Sequence, residues 1–336
     1  MGTPLRGISG TVDDGERRHQ APGPAAAPAA RAGRGGLSHL LFLYRDAGEY
    51  RDQVLAFVAG GLARSEPVFA ALPDDLAWRV RADLGAADWQ LAVADMNQLG
   101  RNPARITLAL TSFAGQHVGR RIRVVTEPLW PGRSEAETAE VMKHEALVGP
   151  ALAAASADIL CPYDASRLSP ALIDGVCHRH PEVLERGHRR SSSGYQAGPA
   201  GRPEAALPPP PASAESLTYR SELHNVRTLA DRYAERAGLP ADRRADLVLA
   251  VSEIAANSLA HTAGGGTLHI WRSGPEVICQ VHDGGWITDP MAGRRRPAPD
   301  SPGQGLWVVN HVCDLVETRT GPAGTTTRLR FRLPGG

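Results

Sequence analysis

The stretch RRSSSGYQAGPAGRPEAALPPPPASAE, residues 189–215, constrains this chain more than any other feature. Ser and Gly give way to a proline run, a composition that buries no core and reads as a linker with a stiff end. It splits 336 residues into two segments, each near the roughly 100 to 200 residues of an ordinary domain. Residues 1–36, rich in Gly, Pro, Ala and Arg, hold too few large apolar side chains to offset the entropy of ordering, and read as a disordered tail. The expected division is a tail to residue 36, a first domain over 37–188, a linker over 189–214 and a second domain over 215–334.

In the first domain the apolar runs HLLFLY, PVFAAL, WQLAVADM, RIRVVTEP and DILCPYD alternate with helical patterns such as EYRDQVLAFVAGGLA and PARITLALTSFAGQHV. Strand and helix in repetition predict an α/β fold, a mainly parallel sheet with helices on both faces. Ligands of such sheets collect at the carboxyl ends of the strands, which makes Arg45, Asp95, Glu127, Trp130 and Tyr163 candidate lining residues. The first strand is followed by YRDAGEYRD instead of GxxxxGK[ST], so the usual backbone cradle for phosphate is not expected. No nucleophile and base pair is defined by spacing, and His39, His117 and His144 are read as packing or surface residues.

Lys plus Arg number 37 against 36 Asp plus Glu, which excludes the basic field of a general nucleic-acid binder. Cys161, Cys177, Cys279 and Cys313 form no CxxC or CxxH pair, so sequence spacing indicates neither a zinc site nor a disulfide framework. No apolar run approaches the roughly 18 residues of a membrane span, and Pro22, Pro24 and Pro28 interrupt the N-terminal alanines. A cytoplasmic protein with reduced thiols, binding neither membrane nor nucleic acid directly, is the expectation.

The second domain opens with an amphipathic helix, SELHNVRTLADRYAERAGLP, with Ser221 as expected N-cap and Gly238 and Pro240 as stop. A second helix, two strands joined by Ser273-Gly274-Pro275, a Pro/Gly/Arg-rich loop, a third helix and a closing strand follow. Three features stand out. Glu253 and Asn257 lie four apart, on one helix face; Asp283-Gly284-Gly285 ends a strand; Gly303-Gln304-Gly305-Leu306 opens a helix. Singly these read as a solvated face, a turn and a hinge. Together they fit a nucleotide: an aspartate accepts from an exocyclic amine, glycines at a helix start bring N–H groups to phosphate, an Asn oxygen suits Mg²⁺, and a Glu one turn away polarises a hydroxyl.

At these residues the chain resembles the GHKL ATPase superfamily, shared by histidine kinases, gyrase and anti-sigma-factor serine kinases. The resemblance implies a Bergerat α/β sandwich with a mixed sheet. It implies Asn257 as Mg²⁺ ligand, Asp283 as adenine partner, Gly285, Gly303, Gly305 and Leu306 in the nucleotide loops, and Glu253 as base. The closing GTTTRLRF is similar to the family's terminal Gly-Thr strand, with Thr326 as a further ATP-binding candidate. A histidine autokinase would carry a dimerising helix pair with a phosphoacceptor His ahead of this domain, where only a linker stands. The compact domain resembles instead the anti-sigma-factor serine kinases, which bind a sigma factor and phosphorylate an antagonist protein. A non-catalytic ATP-binding module is the alternative. Gln304 stands where these kinases commonly have Arg; Arg294, Arg295 and Arg296 are read either as substitutes or as a solvated basic loop.

The segments HLLFLY, MNQLGRNPARI, RVVTEPLWPGRSEAE, HEALV and ILCPYD resemble the MEDS sensory domain, over about residues 37–185. That resemblance implies a RecA-like fold without the phosphate loop, and sensing of a small organic molecule. His39, Tyr44, Asp95, Glu127, Trp130 and Tyr163 are the candidate pocket. A flexible linker transmits little torque, so coupling between the halves is expected through domain contact or through a homodimer.

Overall fold

The computed structural model describes residues 36–73, 90–198, 205–297 and 303–335. The tail expected over residues 1–36 lies, Gly36 apart, outside the described residues, as do 199–204 of the expected linker.

The first half is a seven-stranded sheet in the order β3-β2-β4-β5-β1-β6-β7. Its strands are β1 Leu37–Tyr44, β2 Val68–Leu72, β3 Leu91–Asp95, β4 Arg121–Thr126, β5 Ser156–Asp164, β6 Glu182–Glu185 and β7 His188–Ser191. Every ladder is parallel except that of β6 with β7. Strands covered on both faces read as unbroken apolar runs, and β2 is buried along its whole length. Helix α1 (Ala47–Leu62) covers one face with Tyr50, Val54 and Val58. The other face packs against α3 (Pro103–Gln116), α4 (Glu135–Ala151) and α5 (Pro170–Cys177), while the single turn α2 (Met96–Leu99) follows β3. The helix starts are chemically marked: Asp46 accepts from the amides of Gly48 and Glu49, and Ser134 with Glu137 closes a capping box on α4.

The expected linker begins inside a strand. Arg189–Ser191 belong to β7, whose hairpin turns at Arg186 and Gly187, both with positive φ; its charged residues carry no apolar alternation to reveal it. The proline run is docked as well, the Pro208 carbonyl accepting from Arg328 Nη2 at 2.5 Å.

The second half is a five-stranded sheet in the order β11-β12-β10-β9-β8, with β8 Glu215–Tyr219, β9 Gly266–Ser273, β10 Glu276–Asp283, β11 Leu315–Gly321 and β12 Gly324–Arg332. Helices α6 (Leu223–Ala237), α7 (Ala241–His261) and α8 (Gln304–Val312) pack on one face, setting Val226, Val251, Ile254 and Val309 against Leu268, Val277, Val281 and Phe331. The α/β sandwich is as expected, but its described ladders are all antiparallel, where a mixed sheet was expected. Two hairpins, β9–β10 and β11–β12, make two of these ladders antiparallel, and β10 with β12 and β8 with β9 pair antiparallel as well. Helix α6 starts at Leu223, with Glu222 in the cap position and no side-chain cap bond, so Ser221 is not its cap. No helix among the described residues is long and apolar enough to cross a membrane.

Candidate nucleotide site and sensory cleft

Helix α7 buries Leu247, Val251, Ile254 and Ser258 and leaves Glu253 and Asn257, one turn apart, half-buried on another face. The opening of α8 closes onto that pair. A Cβ built on Gly305 would lie 2.7 Å from Glu253 Oε2 and 3.3 Å from Asn257 Nδ2, so only glycine allows this approach without displacing the carboxylate. Gly303, the cap of α8, has φ of 100°, a conformation that glycine adopts without strain. Replacing Gly305 by Ala is therefore expected to leave thermal stability unreduced, since Ala suits a helix better, while any reaction needing the native Glu253 position slows about tenfold or more. Melting curves and single-turnover rates measured side by side check this.

Asp283 ends β10 on the helix-facing side of the sheet, its two oxygens fixed by different elements. Ser258 Oγ donates to Oδ2 at 2.6 Å, and the amide of Gly285 donates to Oδ1 at 2.8 Å. The carboxylate is thus oriented by a helix and by its own turn, as a hydrogen-bond reader requires. Strand alternation separates the two threonines that follow Gly324. Thr325 pairs with Asp283 in register, is buried, and donates to the Gly285 carbonyl at 2.9 Å. Thr326 faces the opposite side and shares a hydrogen bond with His282 Nδ1 at 2.9 Å. Thr326, the candidate from the sequence, is thus not brought to Asp283, whereas Thr325 is. Leu306 is half-buried and packs onto the second-half core.

The basic loop divides. Arg294 is buried and reaches the first half, with Nη2 2.8 Å from Glu140 Oε2 on α4; Arg295 pairs with Asp289. Arg319 Nη1 lies 2.7 Å from the other oxygen of the same, fully buried, Glu140. Around this double ion pair Asn102 and Arg105 donate to the Asn310 carbonyl (2.9 and 3.0 Å), Arg105 to that of Cys313 (2.6 Å) and Lys143 to that of Thr318 (3.0 Å). Helices α3 and α4 are thereby seated on α8 and β11, so the two halves touch directly. Arg294 is held away from the role of a substitute phosphate contact, and it is not a solvated basic residue either.

At the carboxyl ends of β1, β4 and β5 a cleft of about 760 Å³ is lined by Tyr44, Arg45, Glu127, Trp130, Asp164 and Arg167 among others. That volume is of the size that houses small organic ligands. Tyr44 donates to Glu127 Oε1 at 2.7 Å, and the Arg133 guanidinium stacks 3.5 Å from the Trp130 ring centre. Three of the six expected pocket residues, Tyr44, Glu127 and Trp130, meet here. Asp95 caps α2 by accepting from the Asn97 amide, while Tyr163 and His39 point into the buried core below. There Tyr163 donates to Glu145 Oε1 at 2.5 Å, and His39, Cys161 and His180 surround the other carboxylate oxygen. Burial pushes the His180 imidazole down to about 3 and that of His144, which meets Thr107 Oγ1 at 2.7 Å, down to about 4. His117 packs edge-on against Phe113.

Burial raises the Glu127 carboxyl from its ordinary 4.5 to about 7, against the lowering effect of hydrogen bonds from Tyr44 and Tyr50. The folded state holds this proton more tightly than the unfolded chain, so stability is greatest below the unfolded value and falls as pH rises toward 7. The loss is about 3 kcal/mol at most. Glu127→Gln, which does not ionise, is expected to flatten the decline of Tm between about pH 5 and pH 8. Parallel melting profiles for the two proteins would contradict that.

Comparison with known proteins agrees with both halves. Residues 38–181 match the family model of MEDS, the MEthanogen/methylotroph, DcmR Sensory domain, and residues 217–331 match that of the histidine kinase-like ATPase domain. The chain therefore joins a sensory module of MEDS type to an ATPase module of histidine kinase type. Among solved structures it is similar to the RsbU and RsbW domains of Rv1364c from Mycobacterium tuberculosis, at 17% identity and a TM-score of 0.29, over 60% of this chain and 49% of that one. The chain thus spans about half the length of that structure's chain. No match emerged among curated proteins.

Proposed function

We propose that this chain is a signalling regulator in which the first half binds a small organic molecule and the second half transfers the γ-phosphate of ATP to a serine of a partner protein, in the manner of the anti-sigma-factor serine kinases. The observation that carries the reading is the closure of Gly305 onto Glu253 and Asn257, with Asp283 held by Ser258 on the same helix. Asp283 reads the adenine amine. The amides at the start of α8 face phosphate, where the helix dipole favours negative charge.

The Asn257 side-chain oxygen is a hard donor and fits Mg²⁺, which Asn257 would hold and which, when bound, neutralises phosphate charge. Glu253 accepts the proton of the partner's serine hydroxyl as its oxygen bonds to the γ-phosphorus, and the bond to the ADP oxygen breaks. A sigma factor and its antagonist are the partner class this reading implies, with the cytoplasm as the setting.

A second reading, an ATP-binding module without turnover, is favoured by one feature. Gln304 is neutral, and Arg294, the basic residue read as its substitute, is tied to Glu140. Incubation of the full chain with γ-labelled ATP, Mg²⁺ and candidate antagonist proteins decides between them. Acid-stable label on a serine of the antagonist supports the kinase. Label confined to the chain itself and lost in acid marks a histidine autokinase, and no label with intact ATP binding marks the non-catalytic module.

A further inference from the structure

Beneath the sensory cleft, four ligand-type side chains from four separate elements converge in the core of the first half. His39 lies on β1 and Cys161 on β5, placed on one sheet face by the parallel register that pairs His39 with Ile159 and Leu41 with Cys161. Glu145 comes from α4, and His180 from the turn after α5. Their exposures are 5%, 1%, 2% and 0%, and the ligating atoms all lie within 4.8 Å of one another.

The internal bonding of this cluster is incomplete in a telling way. His180 Nδ1 lies 2.8 Å from the Val176 carbonyl, which fixes its proton there and leaves Nε2 as a bare lone pair. That lone pair faces Glu145 Oε2 at 3.3 Å, and neither atom has a hydrogen-bond partner. Two acceptors opposed in a dry core repel unless a proton or a metal ion lies between them. His39 Nε2 sits 3.4 Å from the same carboxylate oxygen and 3.3 Å from Cys161 Sγ. Tetrahedral Zn²⁺, with bonds of about 2.0 to 2.3 Å, requires ligand-to-ligand edges of about 3.3 to 3.6 Å.

We propose that His39, Glu145, Cys161 and His180 form a closed, four-ligand site for a divalent metal ion, with Zn²⁺ the best match. Two imidazoles, a carboxylate and a thiolate suit a borderline-soft ion and disfavour Mg²⁺ or Ca²⁺. The carboxylate and the thiolate together balance its charge. The supporting shell is in place: the Val176 carbonyl orients His180, and Tyr163 orients Glu145. Binding forms the metal–sulfur bond and breaks the S–H bond, so one proton leaves Cys161 for solvent per ion taken up.

The test uses the full chain, stripped with a chelator under reducing conditions and titrated with Co²⁺ and then Zn²⁺. The proposal expects one equivalent of Co²⁺ per chain with thiolate-to-cobalt charge-transfer absorption and the intense visible bands of tetrahedral Co²⁺, all bleached by Zn²⁺. One proton released per ion and a higher Tm accompany uptake. Cys161→Ser should lose the charge-transfer band and His180→Gln should weaken binding about a hundredfold or more, while Cys177→Ser, outside the cluster, keeps both. Should Cys161→Ser fail to fold, the wild-type cobalt spectrum and the Cys177→Ser comparison still decide. Less than half an equivalent in folded wild type, a pale octahedral spectrum without the thiolate band, or an unchanged band in Cys161→Ser would each overturn the site, the second marking an adventitious surface ion only.

Discussion

Replacing Glu140 by Ala is expected to release residues 286–297 from the first half of the molecule. Glu140 is fully buried and holds two guanidinium groups, Arg294 at 2.8 Å and Arg319 at 2.7 Å, one on each carboxylate oxygen. A buried pair contributes little when intact relative to an apolar substitute, yet removing one partner costs about 3 to 5 kcal/mol, because charge is left in the core. Here separation of the two halves rehydrates the arginines, so the cost goes into opening the interface while each half stays folded. At about 1.4 kcal/mol per factor of ten, amides of residues 286–297 should exchange with solvent roughly two to three orders of magnitude faster, with peptides of β10 and α7 unchanged. Equal exchange in variant and wild type would mean the ion pair does not hold the loop.

The second large effect concerns Glu253. Its carboxylate is half-buried beside Gly305 and lines the cleft between α6 and α7 that also contains Arg227 and Ser252. Glu253→Ala keeps helix propensity and leaves Asp283 and Ser258 untouched, so ATP affinity should stay within about threefold while transfer falls by about 10² to 10⁴. Glu253→Gln separates basicity from shape, because it preserves the contact with Gly305 and cannot accept the proton. Transfer at the wild-type rate in Glu253→Gln would remove the base from the mechanism, and transfer lost in Ala but kept in Gln would make Glu253 a positioning residue.

What could be read from the sequence was local. Five apolar runs are β1 to β5: strands covered on both faces leave an unbroken apolar signature, the half-buried edge strand β3 keeps an apolar run too, and a helix fixes the four-residue spacing of Glu253 and Asn257. Short charged strands were illegible: β7, with the sequence His-Arg-Arg-Ser, has no apolar alternation and was absorbed into the linker. Which of Thr325 and Thr326 stands beside Asp283 is not legible in the sequence, since the face of a strand depends on register, and register on a partner far along the chain. Arg294 read as part of a basic loop because Glu140, its partner, lies 154 positions away. The cluster of His39, Glu145, Cys161 and His180 follows no metal-ligand spacing at all. Only the parallel pairing of β1 with β5, and the packing of α4 across them, assemble it.

The central claim, that the second half is a nucleotide site read by Asp283, is tested most directly by calorimetric titration of the full chain with ATP and Mg²⁺, with Asp283→Asn beside it. Asparagine replaces one acceptor oxygen by a donor, facing either the Ser258 hydroxyl, the Gly285 amide or the adenine amine, and each such loss at a charged acceptor is worth about 1.5 to 3 kcal/mol. One site per chain is expected in the wild type, with affinity reduced roughly ten- to a hundredfold in the variant. Equal affinities in the two proteins, or no heat from a folded wild type, would contradict it.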